Sequence, residues 1–578
     1  MVPTLLTRTA ALQRTAAAPN AAPRVLSTLR RFKRAALVTT FFAALVIANS
    51  YPIAFKPAST LGLHGDAYFS VWRLAWIAHQ LPRDPRHLFD GNIFYPERGT
   101  LAYSDAILLP GILVAPLNWA GIDPLALYNL TLLAAFVLNA LAGFLLVHHL
   151  TRSVAAGLLG GVIFAFSPYR FDHFDHLEMQ FAFWIPLVVL AWHKACSDRS
   201  RGPVAREKLR DYLKVAALTA CQILSCIYYG VFLLAWLAVV TTLWFVRTPA
   251  KAIKAGTAML LPPLLVLGVY SLPYLQIRGR LGDRSPREVA GYSARLSDFL
   301  SAPSSNVLYG QTSTLSVEER HLFPGFAAAA LLIVGLWPPF DRLRLLHAAG
   351  LALALQLTLG FNGFLYKPLY EWVLPFRGLR VPARADVLVL LGTSVLAGFG
   401  LARLTRGIER RRLSAGIAAG AIAIASIEYA ARPHLQTVDR RVSEWYHWLK
   451  SIPDAVVFEW PADVPWRLHE MVDVNYMYRS TLHWRPLLNG YSGHYPRSYI
   501  DLLLTMRSFP YTGSIEYLRQ MGANVLVVHD VGGSRPSYEE ALARLAREPG
   551  VQVFAQGLDA GNRVTVFRLS DPRDSGAR

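Results

Sequence analysis

The sequence predicts a mainly α-helical, polytopic membrane bundle of about eleven transmembrane helices, followed by a soluble α/β domain. Three observations predict it. Apolar residues make up 53% of the 578 and charged residues only 17%, with a mean hydropathy of +0.31, a balance that soluble globular chains do not carry. The apolar residues are gathered into runs close to the length of a bilayer core. After residue 431 the pattern changes to short alternating runs, the period of half-buried strands.

Residues 1–34 form a basic, cytoplasmic amino-terminal segment: Arg8, Arg14, Arg24, Arg30, Arg31, Lys33 and Arg34 occur without an acid. Positive charge before a first span holds that end inside. The apolar run 35–55 then reads as a retained helix, since it exceeds the core of a secretory signal and no small-residue cleavage site follows it. Further spans are expected at 125–150, 154–168, 178–195, 212–226, 229–247, 254–273, 324–338, 345–361, 384–402 and 414–431.

Basic residues orient these spans. Arg152, the group from Lys194 to Arg210 that includes Arg199 and Arg201, then Arg247, Lys251, Lys254, Arg342, Arg344 and the stretch Arg403 to Arg412 should all lie inside. That holds only if 106–121 (AILLPGILVAPLNWAG), broken by Pro110 and Pro116, lies at or dips into the outer face without crossing. The membrane domain is then 35–431 with a large first outer loop, 56–123. Residues 432–578 form an extracytoplasmic α/β domain, its strands expected in AVVFEWP, NVLVVHD and VTVFRLS, with a helix in SYEEALARLAREP and a polar end DPRDSGAR. The chain is expected to be an integral protein of the bacterial inner membrane.

The net charge of +20 lies between apolar runs and forms no reading stripe, so it marks membrane topology and excludes nucleic acid as a partner. Cys196, Cys221 and Cys226 lack metal or disulfide-framework spacing. GxxxxGK, a strand-borne GxGxxG and a serine nucleophile elbow are all missing, which removes the ATPase, dinucleotide and serine-hydrolase classes.

On the outer face, Asp66 in LGLHGDAYFSVWRLAW is the most informative residue, because a carboxylate at the hydrocarbon boundary is costly unless solvated or working. Capping the following helix would also explain it. Asp105 in YSDA is a second loop acid, read first as a cap. In YRFDHFDHLEMQ the residues Asp172, His173, Asp175 and His176 could line a substrate or hold a divalent cation, although the spacing matches no established metal motif. Arg377, Arg380 and Arg384 sit at the outer edge of an apolar helix, against the inward bias of positive charge. A phosphate would explain them, as would lipid headgroups or pairing with Asp386. The loop acids Glu288, Asp298, Glu318 and Glu319 are uncommitted, and LLNGYSGHYPRSY suits stacking on sugars.

A first helix, a large outer loop opening on Gly65-Asp66, an amphipathic helix and a proline-broken apolar stretch resemble the start of the GT-C superfamily of glycosyltransferases. The resemblance covers the layout from 35 to about 275. It implies a membrane enzyme that takes a sugar from a polyprenyl-phosphate-linked donor outside the membrane and passes it to a glycolipid, polysaccharide or protein acceptor. Asp66 would be the base, and His64, Asp105, His173, His176, Arg377, Arg380 and Arg384 would line the site or hold the donor. A positioned carboxylate contributes ~10² to 10⁴ in rate. One acid suffices for inverting transfer when the leaving group is already a phosphate. The rival functions are a transporter or lipid flippase, against which the chain shows no inverted repeat, and a non-catalytic scaffold.

Overall fold

The computed structural model describes residues 21–197, 205–441, 443–462, 472–531, 536–559 and 561–571. Arg8, Arg14, Arg199, Arg201 and residues 572–578 lie outside the described residues. The chain is mainly helical. Its principal helices are α1 (Ala21–Asn49), α2 (Gly65–Gln80), α3 (Leu108–Trp119), α4 (Pro124–Thr151), α5 (Val154–Phe166), α6 (Trp184–Cys196), α7 (Ala205–Ser225), α8 (Ile227–Trp244), α9 (Pro249–Tyr270), α10 (Phe326–Leu336), α11 (Arg342–Thr358), α12 (Asp386–Arg406), α13 (Arg411–Glu428) and α14 (Val472–Ser480).

Among the described residues, seven helical segments are long and apolar enough to cross a membrane: Phe32–Asn49, Pro124–Thr151, Val154–Asp172, Leu177–Cys196, Ile227–Trp244, Pro249–Tyr270 and Pro382–Arg406. The other four expected spans fall on α7, α10, α11 and α13, which are shorter or more charged. Helix α10 has 11 residues, about 16 Å of rise against a hydrocarbon core of about 30 Å. The same comparison applies to α3, with 12 residues and Pro116 inside; Trp119 Nε1 donates to Ala78 O at 2.8 Å and ties it to α2.

Local chemistry explains where the helices begin. Asp123 Oδ1 accepts from the amides of Leu125 and Ala126 at 3.0 and 3.1 Å, with Pro124 at the first helical position of α4. Helix α10 borrows its cap from α13: the Glu428 carboxylate accepts from Phe326 N at 3.1 Å and Ala327 N at 2.9 Å. Helices α10 and α12 touch backbone to backbone, since a Cβ at Gly335 would overlap Leu396 O and one at Gly400 would overlap Leu331 O. Helix α12 has 21 residues, so its two ends stand about 30 Å apart. At its far end Arg403 donates to the Trp337 and Pro338 carbonyls, and Arg344 donates to Pro339 O at 2.7 Å. The near end carries Arg384.

The first loop and the carboxyl-terminal region are built together. Strand β1 (Thr60–Gly62) pairs antiparallel with β2 (Leu435–Thr437), Thr60 opposite Thr437. Beyond it lies a four-stranded sheet, in the order β3 (Val457–Trp460), β4 (Val525–His529), β6 (Asn562–Leu569), β5 (Val551–Asp559). Strands β3 and β4 are parallel and the other pairs antiparallel. Strands β3, β4 and β6 fall on the three alternating runs, and Ser537 caps the helix Tyr538–Leu545 through a capping box with Glu540. Helix α2 packs on α14, and one buried apolar cluster continues from Phe42 of α1 through Trp72 and Trp76 of α2 to Val527 of β4. Both indoles are satisfied within the loop region: Trp72 Nε1 donates to Asn92 Oδ1 at 3.0 Å and Trp76 Nε1 to Leu88 O at 2.8 Å.

Candidate active site

Asp66 stands in the first turn of α2 but does not cap it. His64 is the N-cap residue, its Nδ1 accepting from Asp66 N at 3.2 Å, so the Asp66 carboxylate is left for other partners. His176 Nε2 lies 3.0 Å from Asp66 Oδ2 and His64 Nδ1 lies 3.3 Å from the same oxygen, while Tyr491 donates its hydroxyl to Oδ1 at 3.3 Å. Burial raises the Asp66 carboxyl, yet His176, then His64 and Arg73, outweigh it and hold it well below the usual carboxylate range. Burial opposes charge on His176 as well, but Asp66 carries its pKa up to about 9. The pair is therefore carboxylate and imidazolium. His176 Nδ1 is buried and makes no hydrogen bond among the described residues.

Around this pair the polar groups are layered. Arg73, on α2, donates to Glu178 Oε2 at 2.8 Å and to Asp105 O at 2.6 Å. Asp105 itself is a cap: Oδ2 accepts from Ile227 N at 2.7 Å, where α8 begins, and Oδ1 from Ile107 N at 3.3 Å. Burial pushes its carboxyl up to about 7. His173 is buried with Nδ1 3.7 Å from Glu319 Oε2, and burial keeps it neutral, well below its ordinary pKa. Asp172 takes His321, with Nδ1 2.5 Å from Oδ1. Asp175 occupies the space left by Gly62, where any side chain would overlap its carboxylate. Burial pushes it up to about 7 against the pull of His64 and His176.

The three arginines part company. Arg384 is committed to Glu319 through a bidentate pair, Nε to Oε2 at 2.8 Å and Nη2 to Oε1; its partner is Glu319 and not Asp386, whose carboxylate oxygens make no hydrogen bond among the described residues. Arg377 turns away to the Tyr370 and Glu371 carbonyls. Arg380 remains 30% exposed, 3.6 Å from Glu288 and 5.8 Å from the Tyr292 ring centroid. Beside it stands Arg284, 3.7 Å from Glu288 and donating to Gly493 O at 3.0 Å. Burial and these two cations lower His494 to about 3, so it is neutral.

Gly493 and Tyr491 are two residues apart, at most about 7 Å of chain, so the Asp66 cluster and Arg284, with Arg380 beside it, are both bonded to one short segment. His64, His173, His176, Arg380 and Arg384 are brought to this region with Asp66, Asp105 lies behind Arg73, and Arg377 is outside it. Sequence reasoning missed Arg73, Glu178 and Arg284. A lone arginine in the apolar stretch AYFSVWRLAW was a signal for the first; Arg284 in a polar loop carried none. Among the described residues, no group of three or more His, Cys, Asp or Glu side chains is placed to hold a metal ion.

These shifts set a pH dependence. The folded values of His176 and Asp175 lie above their ordinary 6.5 and 3.8, so the folded state binds more protons and its stability falls as pH rises. The melting temperature in detergent should decline from pH about 4 to 7, where the folded state keeps protons on Asp175 and Asp105 that the unfolded chain releases, decline in a further step from about 6.5 to 9 for His176, and level off above. In H176Q the upper step should vanish, which a melting series from pH about 5 to 10 checks.

A family model described as a domain of unknown function, DUF6311, matches residues 83–364. No curated protein sequence matches the chain. Among solved structures, the arabinofuranosyltransferase AftD from Mycobacteria is similar at 15% identity with a TM-score of 0.53, over 93% of this chain and 41% of that one. The chain thus spans about two fifths of that protein's length. ArnT from Cupriavidus metallidurans, bound to undecaprenyl phosphate, aligns at 12% identity and TM-score 0.46 over 92% of this chain and 97% of that one. The archaeal oligosaccharyltransferase AglB from Archaeoglobus fulgidus, with an inhibitory peptide and a dolichol-phosphate, aligns at 12% and 0.46 over 85% and 69%. The likeness to AftD, at 15% identity, is one of fold.

Proposed function

We propose that the protein is a membrane glycosyltransferase, moving a sugar from a polyprenyl-phosphate-linked donor to a glycolipid, polysaccharide or protein acceptor on the extracytoplasmic side, with Asp66 as general base. What supports this reading is that the first-loop carboxylate Asp66 and the guanidinium of Arg284, with Arg380 beside it, are bonded to one short segment through Tyr491 and Gly493. The acceptor hydroxyl attacks the anomeric carbon as the bond from that carbon to the phosphate oxygen breaks. Its proton passes to Asp66, and the charge left on the lipid phosphate is taken by Arg380 and Arg284, whose planar forks suit phosphate and stay charged at a low-dielectric boundary. Arg384, already balanced by Glu319, stands behind them and adds no net charge. His176 holds Asp66 ionised.

The test supplies the purified protein with labelled polyprenyl-phosphate sugars and measures label on an acceptor. R380A and R284A should each raise the donor KM about tenfold or more while folded yield stays at the wild-type level. Equal loss of folded protein would make these arginines structural, and passage of the intact lipid across a vesicle without sugar transfer would make the protein a transporter.

A further inference from the structure

The segment 487–495 runs between β3 and the first loop and is fixed at both sides. Leu488 N donates to Val457 O at 2.9 Å, Leu487 N to Asn92 O at 2.8 Å, and Tyr95 N to Leu487 O at 3.0 Å. Asn489 is its pin. Its Oδ1 accepts from Glu459 N at 2.8 Å and its Nδ2 donates to Glu459 O and to Asp473 Oδ1, both at 2.9 Å. On the other side its carbonyl accepts from Phe94 N at 3.2 Å. The next residue admits no side chain, since a Cβ on Gly490 would lie 2.6 Å from the Phe94 ring. The residue after that is Tyr491, its ring edge-on to Phe69 at 5.8 Å and its hydroxyl 3.3 Å from Asp66.

We propose that this segment is a strap through which the carboxyl-terminal sheet sets the orientation of Asp66, with Tyr491 as the positioning residue. The inference rests on the glycosyl-transfer reading. An aspartate carboxylate turns in a broad torsional well, so contacts to one oxygen leave its plane undefined. His176 holds Oδ2, and Tyr491 holds Oδ1. One phenolic hydrogen bond still leaves Oδ1 a lone pair to receive the acceptor's proton. The same strap supplies the Gly493 carbonyl to Arg284, so base and donor cations are registered to one another by a segment anchored on β3.

The experiment compares Y491F with wild type in the transfer assay. Phenylalanine keeps the ring against Phe69 and removes only the hydroxyl. The expected result is a fall in kcat of about tenfold, an unchanged donor KM, and normal folded yield. Y491F combined with D66N should fall no further than D66N alone, because both remove the same element; a purely structural tyrosine would add its own loss. An active wild type with a Y491F kcat within about twofold of it would overturn the inference alone, as would an additive double variant. A wild type that transfers no sugar would remove the glycosyl-transfer reading and this inference with it.

Discussion

D66N should lose about 10² to 10⁴ in kcat while folding and binding donor as wild type does. Asparagine keeps the shape, its carbonyl oxygen accepting from Tyr491 and its amide nitrogen donating to a deprotonated His176 Nε2, but it cannot take up the proton of the attacking hydroxyl. The carboxylate it replaces is 20% exposed and the amide is nearly isosteric with it, so the change leaves no cavity. Because the leaving group is a phosphate, no second acid should rescue the loss. Steady-state kinetics with size-exclusion profiles of both proteins check this. A D66N enzyme within about tenfold of wild type would show that proton transfer at Asp66 is not needed for catalysis.

R384A should be strongly destabilising, costing about 3–5 kcal/mol. It would leave the buried Glu319 carboxylate with His173 as its remaining partner at 3.7 Å, and burial keeps that histidine neutral. Removing both charges in R384A/E319A should recover much of the loss, since the penalty comes from the orphaned ion. R380A, whose guanidinium is 30% exposed beside Glu288, should by contrast cost little stability and act on donor KM. Thermal melts of the three variants check the order. Equal stability of R384A and R380A would show that the Glu319 pair contributes nothing to the fold.

What could be read from the sequence was what depends on composition and local period. The seven helical segments long and apolar enough to cross a membrane lie where apolar runs of bilayer length lie, and β3, β4 and β6 where the alternation has a period of two. Strand β5, QVFAQGL at its centre, is exposed along much of its length and carries no clean alternation, so nothing in the sequence pointed to it. Asp66 was legible because a lone acid near a membrane boundary is costly. His64 and His176 stood among the candidates, but the distant pairings did not: Tyr491 is 425 residues from Asp66, and Glu319 meets Arg384 across 65. The outward arginines were read from charge bias alone, which cannot tell a guanidinium matched by a distant carboxylate from one left for a ligand. Pairing of that kind is a tertiary fact, set when the loop 275–323 folds against the start of α12.

In the proposed reaction a single carboxylate drives a single displacement at the anomeric carbon. Asp175 and Glu318 also lie near Asp66 and His64, so a second carboxylate is within the region that a double displacement would require. The anomeric configuration of the transferred sugar, compared by NMR with that of the lipid-linked donor, separates the two. One displacement with Asp66 as base predicts inversion. Retention of configuration would contradict it and place a carboxylate in covalent attack on the sugar.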